Sequence, residues 1–297
     1  MTQDTGRRAP SLRAGLALVV GGVLSVQFGS AFAATLFPVI GPDATVGLRF
    51  AFAAVLVVAL QRTWPSSRAP RDLLLVGALG VAMAAMVLLL YQAIDRMPLG
   101  VVITFEFLGP LAVAIGLSRR RRDLGLALLA LAGVLVLTGT LQGAELVGVL
   151  FALGAAASWD AYIGCQALLA HRNVTGVLPL ATTVAALLVA PWSLARAGAS
   201  VLDLHVLLVC LLVAVLSSVV WYAADMLALR VVPPRVFGVM MSLHPAAAVV
   251  AGLVVLGEVL SVRQVAGTAL VVTASALAAW LAARPSNDLL AAEGASA

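Results

Sequence analysis

The sequence predicts an all-α membrane protein of ten transmembrane helices, arranged as two inverted five-helix repeats. Three observations carry this reading. Of the 297 residues, 63% are apolar and 10% charged, against roughly 45 to 50% and 25% in soluble domains. Apolar runs of about 18 to 22 residues recur along the chain, each long enough to cross a ~30 Å hydrocarbon core as a helix. The chain also matches itself when shifted by 135 residues. Strands of a membrane barrel would alternate in residue type over about ten residues, and these runs do not.

The runs fall at about 14–34, 44–61, 73–94, 97–117, 124–141, 146–168, 177–195, 204–226, 236–256 and 264–283. The first follows Arg7, Arg8 and Arg13 and ends in Ala31-Phe32-Ala33, which mimics a signal-peptide cleavage site. It is longer than a signal h-region and nine runs follow, so it reads as an uncleaved helix. Its small stripe Gly21, Ser25, Gly29, Ala33 suggests close packing, with Gln27 beside it as a candidate cavity residue. In the second run Arg49 sits about one turn in, placed to snorkel outward or to pair with an acid; snorkelling is the favoured reading. Tyr91 and Gln92 end the third run, and Trp221, Tyr222 and Asp225 end the eighth. Aromatic residues there serve as interface anchors or as cavity walls. The sixth carries Gly148, Ala152, Ala156, Asp160 and Gly164, a second packing stripe that turns Asp160 into protein, beside Trp159 and Tyr162. The ninth holds His244 before Pro245, where an imidazole can titrate, bind substrate or bond the broken helix.

All 18 basic residues are arginines. With the N-terminus inside and the sides alternating, fourteen fall inside, including the run "SRRRRD" at 118–123, and only Arg96, Arg196 and Arg263 fall outside. That asymmetry obeys the positive-inside rule and sets both termini in the cytoplasm. The net charge of +5 therefore reflects topology and gives no sign of nucleic acid.

The repeat divides the chain into a tail (1–13), a first unit (14–141), a second unit (146–283) and a second tail (284–297). The shift of 135 sets "AIDRMPLGVVITFEFLGPLAVAI" (93–115) on "ALRVVPPRVFGVMMSLHPAAAVV" (228–250), with Pro98 on Pro233 and Pro110 on Pro245. Further upstream a shift of 133 sets Gly15 on Gly148, Ser25 on Ser158 and Gln27 on Asp160. Five spans is an odd number, so the second unit enters the membrane inverted, as in secondary transporters with a midplane site between halves. No loop leaves room for a catalytic or nucleotide-binding domain, and no GxxxxGK[ST] loop occurs. Cys165 and Cys210 lie in apolar runs with no zinc spacing, so neither a metal nor a cofactor is expected.

The sharpest feature is "VITFEFLGPLAVAI" (102–115), one acid and one helix breaker in an apolar run. Pro110 removes the hydrogen bond to the carbonyl of Glu106, and Pro245 that of Met241, its repeat equivalent. Freed carbonyls at mid-depth are costly in lipid, so both breaks should line a polar interior. A charge there costs about 2.5 to 3.5 kcal/mol. The eleven Leu, Ile, Val or Phe residues of 99–117 offset it at about 0.3 to 0.6 kcal/mol each. Glu106 can therefore be kept as a proton-exchanging group; the alternative is a permanently protonated acid bonded to a neighbouring carbonyl.

"PLGVVITFEFLGPLAVAI" (98–115), "RVFGVMMSLHPAAAVVAGLVVLGEVLSVRQVAGTALV" (235–271) and "TLFPVIGPDATVGLRF" (35–50) resemble the EamA-type carriers of the drug/metabolite transporter superfamily, and within it the bacterial threonine/homoserine exporters. The resemblance implies a ten-helix basket in the bacterial inner membrane and proton-linked efflux of a small zwitterion, with Glu106 exchanging the proton. Asp160 and His244 would shape the cavity, along with Gln27, Tyr91, Trp159 and Tyr222. One departure is His244, where those exporters carry an acid. The expected partners are lipid, protons and a small amino acid or related metabolite; a monomer and a homodimer are equally compatible. A drug exporter of the same superfamily is the nearest alternative. A membrane enzyme would need a convergent nucleophile and base, and His171, His205 and His244 are scattered. A scaffold would not need the paired proline breaks.

Overall fold

The computed structural model describes residues 12–116, 121–139, 143–228 and 231–282. The N-terminal tail to residue 11, residues 117–120 of the basic loop and everything from 283 lie outside the described residues, as do the side chains of Tyr222 and Asp225. All described secondary structure is helical. The helices are α1 (Leu12–Ala34), α2 (Phe37–Gln61), α3 (Pro70–Ile94), α4 (Leu99–Glu106), α5 (Leu108–Gly116), α6 (Arg121–Thr138) and α7 (Ala144–His171). There follow α8 (Val177–Ala197), α9 (Leu204–Ala214), α10 (Trp221–Ala228), α11 (Pro234–Met241), α12 (His244–Ala251) and α13 (Val262–Ala282). A π-helical turn, Val215–Val220, joins α9 to α10, and a second, Gly252–Leu256, follows α12.

Among the described residues, seven helical stretches are long and apolar enough to cross a membrane. They coincide with the expected first, second, third, sixth, seventh, ninth and tenth spans. The other three are shorter apolar helices: Leu99–Ala112, Gly125–Leu137 and Leu204–Val220.

The second span begins earlier than the expected residue 44. Helix α2 starts at Phe37 and kinks at Gly41, whose φ of 76° and ψ of 161° suit only glycine, with Pro42 next. The Gly-Pro pair bends the helix instead of ending it.

Small residues set the helix contacts, as expected where lipid supplies no hydrophobic drive between helices. A Cβ at Gly133 of α6 would meet the Gly267 carbonyl of α13 at 2.9 Å, and one at Gly267 would meet the Gly133 carbonyl at 2.9 Å. Helix α3 packs on α7 and α8, α2 on α8, and α1 on α9, α10 and α12. Polar ties join the loops at two ends. Arg172 pairs with Asp72 at 3.0 Å, and the Ser66 N–H donates to the Thr175 carbonyl at 3.0 Å. At the other end Gln92 donates to Asp43, and Glu258 accepts from the Leu99 N–H at 2.9 Å.

Candidate functional site

Two helix interruptions form the middle of the molecule. Helix α4 stops at Glu106, Phe107 makes a turn, and α5 starts at Leu108 with Pro110 in its first turn. The next bond, Leu111 N–H to the Phe107 carbonyl, is long at 3.4 Å. Helix α11 stops at Met241, Ser242 and Leu243 turn, and α12 starts at His244 with Pro245 next. Both interruptions fall where the prolines predict them, and α12 packs on α4. Between them lies a cavity of about 260 Å³ lined by Phe107 and Pro110 from one break, Met241 and Ser242 from the other, and Trp159 and Ser275.

Of the expected site residues, Pro110 and Trp159 line this cavity, and Gln27, Asp160 and His244 lie beside the breaks. Gln27 is buried on α1, and its Nε2–H donates to His244 Nδ1 at 2.9 Å. His244 stands among three aromatic rings, with centroids at 5.3 Å (Phe107), 6.4 Å (Trp159) and 5.1 Å (Trp221). Trp159 meets Phe107 edge-on at 5.0 Å. Asp160 lies against the first break: a Cβ on Gly109 would come within 3.1 Å of its Oδ2. The Asp160 Oδ1, His244 Nε2 and Gln27 Oε1 atoms are buried without a hydrogen-bond partner. Buried polar atoms are ordinarily bonded; these three have no partner among the described residues.

Glu106 is 6% exposed, and its carboxylate makes no hydrogen bond among the described residues. Phe107, next in the chain, lines the cavity. Tyr91 is fully buried and belongs to a separate group: its hydroxyl accepts from Arg49 Nη1 at 2.9 Å, and its ring packs on Phe37 at 5.4 Å. The side chain of Tyr222 lies outside the described residues.

One expectation needs correction: Arg49 does not snorkel, being 7% exposed and held by Tyr91. The packing stripes form except at one end each: Ser25, Gly29 and Ala33 are buried on α1 and Gly148, Ala152 and Ala156 on α7, while Gly21 and Gly164 are exposed. Gly22, outside the stripe, abuts Trp221 and Ala224, Gly29 abuts Ser217, and Ser25 donates to the Leu216 carbonyl at 2.8 Å. Sequence reasoning missed Phe107 as a cavity wall, although its place between the acid and the breaker was a usable signal.

Comparison with known proteins identifies the family. The EamA-like transporter family matches residues 146–280. The threonine/homoserine exporter RhtA of Escherichia coli K12 is 34% identical over 265 residues, covering 88% of this chain and 89% of the relative. RhtA of Salmonella typhimurium LT2 is 34% identical over 256 residues, covering 84% and 86%. A crystal structure 20% identical superposes with a TM-score of 0.61 over 93% of this chain and 100% of its own, which speaks to fold alone. Identity at this level over nearly the whole length makes the chain a multi-pass membrane protein that moves a small molecule, not an enzyme; it belongs to the EamA-like transporter family.

Proposed function

We propose that the protein exports small amino acids of the threonine/homoserine kind by proton antiport across the bacterial inner membrane, with Glu106 as the coupling acid. The observation that carries the coupling is the Glu106 carboxyl itself, buried at a helix interruption and without a hydrogen bond among the described residues. A group so placed can hold a proton or a substrate ammonium, one at a time, which is what antiport requires. Gln27, Trp159, Asp160 and His244 wall the substrate path near the breaks at Pro110 and Pro245, Tyr91 flanks it, and Tyr222 belongs with them by sequence. The volume favours a small metabolite over a drug, since about 260 Å³ falls below the roughly 300 to 1,000 Å³ of drug-sized sites.

Packing supports the ten-span, inverted-repeat arrangement, with units at 14–141 and 146–283. Under the repeat shift, α3 against α7 corresponds to α9 and α10 against α1, and α5 against α7 to α12 against α1. Gln27 against His244 corresponds to Asp160 against Gly109. The ties also respect the arginine topology. Asp72–Arg172 and Ser66–Thr175 join segments assigned to the cytoplasm, while Asp43–Gln92 and Leu99–Glu258 join segments assigned outside.

The test is counterflow. Purified protein in proteoliposomes loaded with threonine should take up labelled threonine or homoserine, and an imposed pH gradient should drive accumulation. No counterflow with either amino acid removes the substrate reading. Counterflow indifferent to the pH gradient removes the antiport.

A further inference from the structure

Arg49 is a buried charged group that the reading above leaves without a task. It is 7% exposed and sits eight residues past the kink at Gly41 in α2, inside an apolar span where a cation is expensive. A guanidinium carries five N–H donors. Here one bond is made, from Nη1 to the Tyr91 hydroxyl at 2.9 Å, and Nε is buried with no partner. The guanidinium also lies 5.5 Å from the centre of the Tyr91 ring, which fixes its plane. No ion pair among the described residues includes Arg49; the two that form are Arg96–Asp95 and Arg172–Asp72. A buried arginine pinned along one edge, with Nε on another, presents the fork that matches a carboxylate bidentately.

Its depth is also informative. Asp43 of α2 is tied to Gln92 at the outer end, and Arg49 lies six residues further on, about 9 Å along the helix. Glu106 lies seven residues below Leu99, about 10 Å along α4 from the same end. The two form no ion pair with each other. An anion-binding fork and a buried carboxyl at matching depth, not paired with one another, are complementary to the two ends of an amino acid.

We infer that Arg49 is the carboxylate anchor of the substrate site, gripping one end of a zwitterion whose ammonium group is taken by Glu106. This rests on the amino-acid export reading and deepens it: the substrate class becomes compounds with a free α-carboxylate. Anchoring at Arg49 brings the ammonium to Glu106, where it displaces the proton.

The experiment compares L-threonine with L-threoninamide, which keeps the ammonium and side chain but lacks the carboxylate, as competitors of labelled-threonine counterflow in proteoliposomes. The parent should prefer threonine strongly. Arg49→Gln should weaken threonine by about tenfold or more and abolish the preference over the amide. Arg49→Lys keeps the charge without the fork and should fall between. A merely structural role for Arg49 would leave the acid-to-amide ratio intact in whatever protein still functions. An unchanged ratio in Arg49→Gln with robust counterflow overturns this inference alone. If Arg49→Gln does not reach the membrane, the ratio in Arg49→Lys decides, and a parental ratio there overturns the inference equally. Absence of any amino-acid counterflow in the parent overturns the export reading and this inference with it.

Discussion

At the first interruption the last helical residue is Glu106, Gly109 follows three places on, and Asp160 of α7 lies against it; at the second the matching positions hold Met241, His244 and Gln27. The backbone is repeated: each helix stops, turns and restarts on a proline. The chemistry is not. Two carboxylates stand at the first break, and none of the three matching residues at the second is an acid. Space is divided oppositely as well. Gly109 lets α5 approach the Ala156 carbonyl, whereas the His244 ring fills its side of the molecule among Phe107, Trp159 and Trp221. Alternating access between inverted halves needs two similar hinges, while coupling needs only one acid. On the proposed inverted-repeat, antiport reading, symmetry resides in the hinge and asymmetry in the charge.

The largest expected effect comes from removing that charge difference. Glu106→Gln keeps size and hydrogen bonding but cannot release a proton, so it should reach the membrane normally and lose accumulation driven by a pH gradient. Met241→Gln, the same residue type at the matching position, should retain it. Each charge moved is worth about 2.3 kcal/mol per 100 mV, so loss of one coupled proton lowers the attainable substrate gradient severalfold or more. Steady-state accumulation in proteoliposomes measures this. Parental accumulation by Glu106→Gln would move the coupling role to Asp160.

Next comes the shared backbone. Replacing Pro110 and Pro245 together with alanine restores two helix hydrogen bonds and should slow turnover severalfold with normal expression, measured as initial counterflow rate. If the two single variants slow it unequally, the hinges are not equivalent and the symmetry is only topological.

The features that decide these predictions differ in how far the sequence exposes them. A proline deletes a specific hydrogen bond wherever a helix is, and an acid in an apolar run has a definite cost, so Glu106, Pro110 and Pro245 are readable without coordinates. Arg49 is not. Its meaning depends on α2 beginning at Phe37 and on a hydroxyl forty-two positions away, and Gly41-Pro42 looks like a boundary until the kink is seen. The small-residue stripes hold over most of their length and run out for a geometric reason. At 3.6 residues per turn, a spacing of four drifts by about 40° per step, so Gly148 and Gly164 lie on nearly opposite faces of α7. Gly148, Ala152 and Ala156 are buried, while Gly164 is exposed.

The space difference between the breaks predicts a stability effect. A methyl on Gly109 would sit 2.8 Å from the Ala156 carbonyl, a backbone atom that cannot turn away. Gly109→Ala should cost about 1 to 3 kcal/mol as overpacking, read as a lower Tm of the purified protein. His244→Gln at the matching position replaces a ring by a slimmer polar chain and should shift Tm less. Equal losses would mean that both breaks are packed to the same tolerance.

The smallest effect lies where the two broken helices begin. Helix α4 opens at Leu99, whose N–H is bound by Glu258 at 2.9 Å, while α11 opens at Pro234, which has no N–H to bind. The first half thus needs a cap that the second does without. Glu258 sits in the connection ahead of α13, where burial pushes its carboxyl above the ordinary range and the Leu99 N–H pulls it back. Because the folded protein holds the proton more tightly than the unfolded chain, this group's contribution is greatest when protonated and declines as pH rises beyond the ordinary carboxylate range. Glu258→Ala removes the acceptor and should cost about 0.5 to 2 kcal/mol, as loss of a helix cap does. Glu258→Gln keeps an oxygen for Leu99 and drops the charge. Its Tm should equal the parent's near pH 4 and rise above it as the pH approaches 8. A Tm for Glu258→Gln that falls below the parent's at pH 8 would mean that the ionised carboxylate is the better cap, with the bond to Leu99 outweighing the cost of burial.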